Sequence, residues 1–412
     1  MSGFDVRAAL ERELGPDRLS EAVGAPAAFA VQPGDGGALA STLRILGEAR
    51  ARAQVRGRGT HDELGNGPVE VDALLSTRGL CGIEELDTQD GVVRVRAGTS
   101  LAELAEAVTP HGWELPLGAP GSASVGGTLA SAAIGPRRLG QGPPRDCVLG
   151  LDVVLTTGEQ TRCGGRVVKN VTGFDLAKLY TGSFGALGVI EAAWLRLSPL
   201  PETVAVRVAS LAAGSDPMDT AIDAARRPTA RCAALLDRSI AERIGISATS
   251  DAALLVEFAG SEPAVREDER WLCGRCAAAP VAGDVVDALA GAQRRALPDG
   301  GARARVGLLP SACGRAAQAL RASGAHLIVH AGVGLVYAEW SEAGESVAAV
   351  EQVAAQAHGE ARFELLPADL KRGRDVFGVG TDTRARVELM RSLKQRFDPA
   401  GVLNPGRCLG RL

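Results

Sequence analysis

Three glycine-rich segments contain the residues whose types and spacing could do chemistry. The first, RGRGTH, runs from Arg56 to His61. In a turn that glycine permits, successive backbone N–H groups can converge on a diphosphate, because no Cβ blocks the approach. The spacing is not a Rossmann fingerprint, since no third glycine follows at the required offset. Taken alone, the segment also fits an ordinary surface turn.

The second segment, PGSASVGGTLASAAIGPRRLG, extends from Pro120 to Gly140. It offers the hydroxyls of Ser122, Ser124 and Thr128, and a helical run, TLASAAI, begins directly at its glycine pair. The free N–H groups at the start of that helix could face a phosphate. A mobile linker between domains is the alternative, but a linker is not followed by an apolar helix of small residues.

The third segment, KNVTGFDLAKLYTGSFGALGVIE, covers residues 169–191. It places Gly182, Gly185 and Gly188 at a spacing of three, just before an apolar strand. A plain helix-to-strand connection would also fit this pattern. None of the three segments identifies a ligand alone.

The elements that must position these segments follow from hydrophobic periodicity. The first sixty residues predict a strand, a helix, a second strand and the RGRGTH loop. Ser100 and Glu103 have the capping-box spacing and start a helix. The run CVLGLDVVLTTGEQTRC predicts a hairpin that turns at Thr157, Gly158 and Glu159.

The remainder of the chain predicts a different architecture. Residues 203–360 alternate strand-like runs with Ala-rich helical runs, which indicates an α+β domain with one antiparallel sheet. The tail predicts a helix that stops before Asp398-Pro399, followed by a second X-Pro step at Asn404-Pro405. Two prolines and two glycines in this turn give it a defined irregular shape.

Composition excludes several classes of protein. The 412 residues are enough for two or three domains, and a formal charge of -4 without basic, aromatic-rich stretches argues against a nucleic-acid partner. Charged residues occupy the N-terminus where a signal peptide needs an apolar run, so we expect a cytoplasmic protein. Of eight cysteines, only Cys273 and Cys276 form a CxxC pair, which is insufficient for an iron-sulfur cluster. We expect reduced, mostly buried thiols.

The three segments together carry a resemblance that none carries alone. RGRGTH, PGSASVGG with GPRR, the RDCVLGLDVVLTTGE hairpin and GSFGALGVI occur in the order and spacing of FAD domains of the p-cresol methylhydroxylase and vanillyl-alcohol oxidase type, over about residues 20–201. GPRR, VVKNVTGFD and LKQRFDPAGVLNPGRCL especially resemble the small FAD-binding subunit of bacterial glycolate oxidase. The resemblance implies the fold class: α+β, with a two-part FAD-binding domain of this type at 1–202, an α+β cap domain with an antiparallel sheet at 203–360, and a C-terminal segment at 361–412 returning to the flavin.

The resemblance also implies a set of cofactor-binding residues. The pyrophosphate of FAD would lie against the first two segments, the adenosine half against the third, and the ring system near the C-terminal turn. The implied residues are Arg56, Gly57, Arg58, Gly59, Thr60, His61, Pro120, Gly121, Ser124, Val125, Gly127, Thr128, Gly185, Gly188, Val189, Ile190, Asn404 and Arg407. Some relatives attach FAD covalently through a histidine that aligns with Thr60, so we expect a non-covalent flavin. His61 is then expected to be an exposed loop residue.

The implied activity is that of an FAD-dependent oxidoreductase acting on CH-OH. The chain would be one subunit of a complex that oxidises a small 2-hydroxy acid, beside a larger flavin subunit and an iron-sulfur subunit. Such chemistry needs an anion-binding arginine and a base or metal. Arg137 and Arg138 are the candidates for the anion, unless they form salt bridges or contact FAD.

Polar residues are missing from the stretch that matches the metal-binding segment of larger relatives. HAGVGLVYAEW keeps His330 but has valine and leucine where polar residues are expected, and a final histidine is absent. His326 and His330 are predicted to lie on a strand, so we expect no metal site. Two alternatives stay open: a non-catalytic assembly or electron-relay subunit that binds flavin, and an autonomous flavin oxidase of another alcohol.

Overall fold

The computed structural model describes residues 5–23, 27–67, 69–166, 175–210, 217–247 and 251–412. Its strands, numbered in chain order, are β1 Leu19–Ser20, β2 Ala27–Val31, β3 Ala53–Arg56, β4 Val71–Ser76, β5 Ile83–Asp87, β6 Val92–Arg96, β7 Trp113–Glu114, β8 Val148–Val154, β9 Gln160–Gly164, β10 Val189–Arg196, β11 Ser198–Pro199, β12 Thr203–Ser210, β13 Ala230–Asp237, β14 Ala252–Gly260, β15 Ala277–Pro280, β16 Ala302–Gly307, β17 His326–His330, β18 Leu335–Trp340, β19 Glu360–Leu365 and β20 Phe377–Val379.

The α-helices carry their own numbering. They are α1 Val6–Leu14, α2 Gly36–Ala49, α3 Leu101–Val108, α4 Val125–Ser131, α5 Arg138–Gln141, α6 Leu176–Tyr180, α7 Pro217–Ala225, α8 Arg238–Arg243, α9 Glu262–Arg275, α10 Val285–Ala292, α11 Cys313–Ala322, α12 Ser346–Gln356, α13 Ala368–Lys371 and α14 Arg384–Phe397. Over the described ranges, none of these helices is both long enough and apolar enough to cross a bilayer.

The chain divides into two compact units. The first comprises residues 1–133, 143–200 and 383–412, and the second comprises 134–142 and 201–382. Residues 361–382 were expected to belong to a C-terminal segment, but they lie in the second unit, because β19 and β20 extend its sheet. Residues 134–142, which carry GPRR, also belong to the second unit.

The first unit opens with a small sheet in the order β1-β2-β4-β3, in which β2 and β3 run parallel to β4. Helix α2 connects β2 to β3, as a parallel crossover requires. Asp35 caps this helix by accepting from the Ala38 N–H, and Leu39, Leu43 and Leu46 bury one stripe of it. Each fully buried leucine contributes about 1.5–3 kcal/mol. The predicted strand, helix, strand and loop are confirmed.

A second sheet of the first unit is antiparallel, in the order β5-β6-β10-β8-β9. The β8-β9 hairpin confirms the predicted turn at residues 157–159. Ser100 and Glu103 form the predicted capping box at the start of α3, with both reciprocal hydrogen bonds present. A backbone bridge between Ser100 and Ser124 then sets α4 beside this sheet.

The C-terminal segment returns to the edge of the small sheet. The Ala53 N–H donates to the Val402 carbonyl, and the Asn404 N–H donates to the Ala53 carbonyl, both at 2.8 Å. The preceding turn is held by the buried carboxylate of Asp398, which accepts from the Val402 and Leu403 N–H groups and from Lys394 Nζ. Helix α14 ends at Phe397, as predicted.

The second unit is built on a nine-stranded antiparallel sheet in the order β15-β12-β14-β13-β17-β18-β16-β19-β20. This confirms the predicted α+β unit with one antiparallel sheet. Helices α7, α9, α11 and α12 pack against one face through a large aliphatic core. Helices α8 and α10 pack on the opposite face, which also carries Tyr337 and Ile328.

His330 ends β17 on the face of α10, which confirms its predicted strand position. Its Nε2 lies 2.8 Å from Nε2 of Gln293, and its ring packs edge-on against Tyr337 with 6.0 Å between centroids. Burial lowers the pKa of His330 to about 4. The folded protein therefore holds this imidazole neutral.

Stability should fall as the pH is lowered from about 6.5 towards 4, because the unfolded chain protonates His330 and the folded chain does not. The contribution is about 2 kcal/mol between about pH 7.5 and pH 5. Urea unfolding at the two pH values should show a shallower pH dependence for His330→Gln than for the parent. His326→Gln, an exposed position on the same strand, should keep the parent's dependence. An unchanged dependence in His330→Gln would contradict the assignment.

Candidate functional site

A cleft in the first unit brings together residues from four parts of the chain. They come from the end of β3 and the loop after it, from α4 and its N-cap, from the glycine loop before β10, and from the C-terminal turn Asn404–Arg407. The cleft is lined by Val55, Arg56, Gly57, Arg58, Gly59, Thr60, His61, Asp62, Ser124, Gly127, Ala130, Ser131, Phe184, Asn404 and Arg407. Ten of the predicted cofactor-binding residues are among them.

The loop after β3, residues 57–62, approaches α4 so closely that any side chain at its first position would force Ser124 to move. A Cβ on Gly57 would lie well inside the van der Waals contact distance of Ser124 Oγ. That hydroxyl is buried and caps α4 by accepting from the Gly127 N–H at 3.3 Å. Gly59 has φ +79°, a left-handed conformation that favours glycine. The ion pair between Arg56 and Asp62 closes the loop.

Backbone N–H groups of this loop are available to a ligand. Among the residues that the structure describes, the N–H groups of Arg58, Gly59 and Thr60 donate to no protein acceptor. Consecutive amide donors of this kind form an anion-binding concavity. The donors fit the diphosphate of a dinucleotide better than its rings, because they offer hydrogen bonds rather than a flat apolar surface.

Asn404 connects the C-terminal turn to two other walls of the cleft. Its Oδ1 accepts from the Val55 N–H at 2.8 Å, and its Nδ2 donates to the Phe184 carbonyl at 2.6 Å. Arg407 donates through Nη2 to the carbonyls of Asp62 and Leu64. Both side chains line the cleft, and both are engaged in holding the loop after β3 and the glycine loop before β10.

Eight predicted cofactor-binding residues do not line this cleft. Val125, Val189 and Ile190 lie in aliphatic cores, and Thr128 is buried with its hydroxyl donating to the Ser124 carbonyl. Gly185 and Gly188 are needed for packing, because a Cβ at either position would press on Asn404 or Val153. The remaining two, Pro120 and Gly121, form the turn before α4, where the Gly121 carbonyl accepts from the Ala102 N–H. Their contact with a cofactor stays a prediction.

The candidate anion-binding arginines lie in the second unit, and the structure gives Arg137 other partners. Its guanidinium bonds both oxygens of Glu257, at 2.9 and 3.1 Å from Nε, and also pairs with Asp287. Burial opposes its charge, but the hydrogen bonds to Glu257 and Asp287 outweigh burial and raise the pKa of Arg137. Arg137 therefore has the salt-bridging role, and Arg138 begins the short helix α5.

Sequence reasoning missed a charged patch on the sheet face that carries His330 and Tyr337. We call Arg303, Arg305, Glu339, Arg362 and Glu364 the cationic patch. The strand register places Arg305 opposite both Tyr337 and Arg362. The alternation in ARARVG and ARFEL was the available signal, because residues two apart on a strand share a face.

Positive charge exceeds negative charge in the cationic patch. Arg362 Nη2 donates to Glu364 Oε1 at 2.8 Å, whereas Arg305 Nε lies 3.9 Å from the same oxygen. Burial opposes the ionised form of Glu364, but Arg362 and Arg305 hold its pKa below the usual value. Burial and the neighbouring Arg305 also lower the pKa of Arg362. Within the described ranges, Arg305 donates no hydrogen bond.

The cysteines form no disulfide bonds. All eight cysteines are free thiols; Cys273 is exposed at the end of α9, and half-buried Cys276 donates to the Leu272 carbonyl. Across the described ranges, no three His, Cys, Asp or Glu side chains are grouped so that they could hold a metal ion.

Comparison with known proteins shows which domain families contribute residues to the cleft in the first unit. Residues 27–164 match the FAD binding domain family, and residues 379–408 match the C-terminal domain of FAD linked oxidases. The fold matches p-cresol methylhydroxylase with a TM-score of 0.69 at 15% identity, covering 98% of this chain and 96% of that chain. The chain is an FAD-linked oxidoreductase with the p-cresol methylhydroxylase fold. The matched segments contribute the loop after β3, the Ser124 cap of α4 and the C-terminal turn, so we call the cleft the FAD cradle.

Two relatives of this FAD-linked oxidoreductase differ in how much of their length it matches. D-lactate dehydrogenase of Archaeoglobus fulgidus is 28% identical over 93% of this chain and 91% of its own length. Glycolate oxidase subunit GlcE of Escherichia coli is 38% identical, but over 29% of this chain and 35% of its own length. The match to that subunit therefore spans about a third of its length.

Substituting Gly57 by alanine should reduce FAD binding at least about tenfold, because the new methyl group displaces the Ser124 hydroxyl that caps α4. FAD titration of the apoprotein, followed by flavin fluorescence, measures the change. Removing that hydroxyl in the double variant Gly57→Ala, Ser124→Ala should restore part of the affinity.

Gly165→Ala is the matched control, because its Cβ would meet no atom within 4 Å. The steric account of the FAD cradle would be wrong if Gly57→Ala bound FAD as tightly as this control.

Proposed function

We propose that this chain takes part in the FAD-dependent oxidation of a small 2-hydroxy acid. The cationic patch is the observation that carries the proposal. It has an excess of positive charge, and its Arg305 donates no hydrogen bond to any described residue. A substrate carboxylate would supply the missing acceptor. Similarity to the D-lactate dehydrogenase, along nearly the whole of both chains, supports the same class of substrate.

The FAD cradle would hold the cofactor non-covalently through the chain's own groups. The N–H groups of Arg58, Gly59 and Thr60 would bind the diphosphate, and the turn at Asn404–Arg407 would keep their loop in place. Once bound, FAD supplies an acceptor for the hydride that leaves the carbon bearing the hydroxyl group. Thr60 stands where relatives with a covalent flavin have histidine, and this supports reversible binding.

Arg305 and Arg362 would bind and orient the substrate carboxylate in this proposal. Glu364 lies between them and keeps Arg362 in place, which leaves Arg305 as the more available donor. The neutral imidazole of His330 lies on the same face, but its hydrogen bond with Gln293 gives it a packing role. The hydroxyl proton would need another acceptor.

We further propose that electrons leave through partner proteins: a larger flavin subunit and an iron-sulfur subunit, as in a glycolate oxidase-like complex. The partial match to GlcE supports this proposal. The cysteines are consistent with an external iron-sulfur centre, because Cys273 and Cys276 at the end of α9 are two ligands and cannot hold a cluster by themselves.

A second candidate is a flavin-binding subunit without catalysis of its own. His330 favours it, because the residue is buried, neutral and bonded to Gln293, where larger relatives have a polar metal-binding stretch. Partner capture from a cell extract separates the readings: a second flavoprotein and an iron-sulfur protein should co-purify with the tagged chain if it belongs to a complex. Their absence would count against both complex hypotheses and favour an autonomous oxidase.

The FAD-loaded chain, alone or with its captured partners, should lose its flavin absorbance when D-lactate or glycolate is added without oxygen. Propane-1,2-diol, which lacks the carboxylate, should leave the absorbance unchanged. Loss of flavin absorbance in the isolated chain would exclude the hypothesis of a subunit without catalysis of its own. If neither the chain nor its complex reacts with a 2-hydroxy acid, the proposed substrate class is wrong.

Arg305→Met should raise the concentration of D-lactate or glycolate needed for half-maximal loss of flavin absorbance by about tenfold to a hundredfold, because a charge-assisted hydrogen bond to the substrate is lost. Flavin content should not change, since Arg305 is not part of the FAD cradle. Arg266→Met on the surface of α9 is the matched control. If both variants needed the same concentration of the 2-hydroxy acid, Arg305 would have no role in substrate binding.

A further inference from the structure

Arg78 lies just after β4 and does not line the FAD cradle, yet it is bonded to the loop that forms it. Its Nε donates to the Gly57 carbonyl and its Nη2 donates to the Arg58 carbonyl, each at 3.3 Å. Over the described ranges, no carboxylate lies within ion-pair distance of Arg78. The guanidinium of this exposed side chain thus donates its hydrogen bonds to two backbone oxygens.

These two bonds fix the direction of two peptide planes. The described part of the chain contains no cis peptide bond, and in a trans peptide the N–H points away from the C=O. The carbonyls of Gly57 and Arg58 point to Arg78, so the N–H groups of Arg58 and Gly59 point to the opposite side. These are two of the amide donors that have no protein acceptor.

The neighbouring arginines do not orient these two peptide planes. The side chain of Arg58 is directed to the Gly98 carbonyl and to Glu103, so it does not restrain its own peptide planes. Arg407 holds the carbonyls of Asp62 and Leu64 at the far end of the loop. Gly57 and Gly59 flank the planes in question, and glycine offers the least resistance to their rotation.

We propose that Arg78 is a positioning residue for the FAD diphosphate: its guanidinium fork holds the carbonyls of Gly57 and Arg58 outward and thereby presents the N–H groups of Arg58 and Gly59 to the cofactor. The two donors of a guanidinium lie in a fixed plane and so hold two carbonyls in a set direction, whereas an ammonium group is a point charge on a flexible stem and does not fix that direction. The inference concerns cofactor binding and does not depend on the proposed substrate.

FAD titration of the apoprotein tests this role. Arg78→Ala should bind FAD about tenfold more weakly, because the freed peptide planes must be ordered when the cofactor binds. Arg78→Lys should show nearly the same loss. The thermal midpoint of each apoprotein should equal that of the parent. Arg145→Ala, an exposed arginine of the same unit, is the matched control and should bind FAD like the parent.

Three results would overturn the proposal. Parent-like affinity in Arg78→Ala would show that the fork is dispensable. Full recovery in Arg78→Lys would show that charge alone attracts the cofactor. A large fall in the thermal midpoint of both apo variants would assign Arg78 to the stability of the fold. Weak binding in both variants with unchanged midpoints supports the positioning role.

Discussion

The amide of Asn404 is the contact on which the FAD cradle depends. It accepts from the Val55 N–H where β3 ends and donates to the Phe184 carbonyl in the glycine loop before β10, so three segments far apart in sequence meet at one side chain. Asn404 also has φ +45°, a conformation that asparagine tolerates better than most residues. An amide supplies both an acceptor and a donor, whereas a carboxylate would face the Phe184 carbonyl with a second acceptor.

A different constraint governs the second unit: charge on a buried sheet face. Glu339 is shared by Arg303 and Arg243, while Glu364 is shared by Arg362 and Arg305. Removing such groups from water is costly unless they are paired and hydrogen-bonded. Arg137 satisfies both conditions with two carboxylates, whereas Arg305 is paired with Glu364 but donates no hydrogen bond among the described residues. The salt bridge of Arg137 could not be predicted from the sequence, because GPRR stands in a glycine-rich loop and the buried partner Glu257 is 120 residues away.

Local signals predicted much of the fold. The capping box at Ser100, the hairpin at Gly158 and the end of α14 before Asp398 all follow from chemistry within a few residues, and all are observed. Helix α4 was predicted to begin at Thr128, but it starts at Val125 because Ser124 caps it. The glycine pair inside its first turn hid this start in the sequence. The glycine-rich segments located the FAD cradle, since glycine is required wherever two backbones approach closely.

Non-local partners account for what the sequence did not predict. Arg78 acts on carbonyls some twenty positions earlier, and nothing in its neighbourhood suggests that role. The backbone around Val189 and Ile190 was expected to hold the adenosine half of FAD, and this stays a prediction; their side chains fill two different cores. A motif marks a segment of chain, while burial decides which of its side chains face inward.

The division of the first unit along the chain has a consequence for biosynthesis. Residues 201–382 stand between its glycine-rich segments and the turn at Asn404–Arg407 that completes the FAD cradle. A ribosome must therefore produce the whole second unit before the loop after β3 acquires its last restraints. Domains begin to fold while they are being made, and the earlier part of this site has to wait in an unfinished state. The cleft of the first unit is accordingly completed only at the end of synthesis.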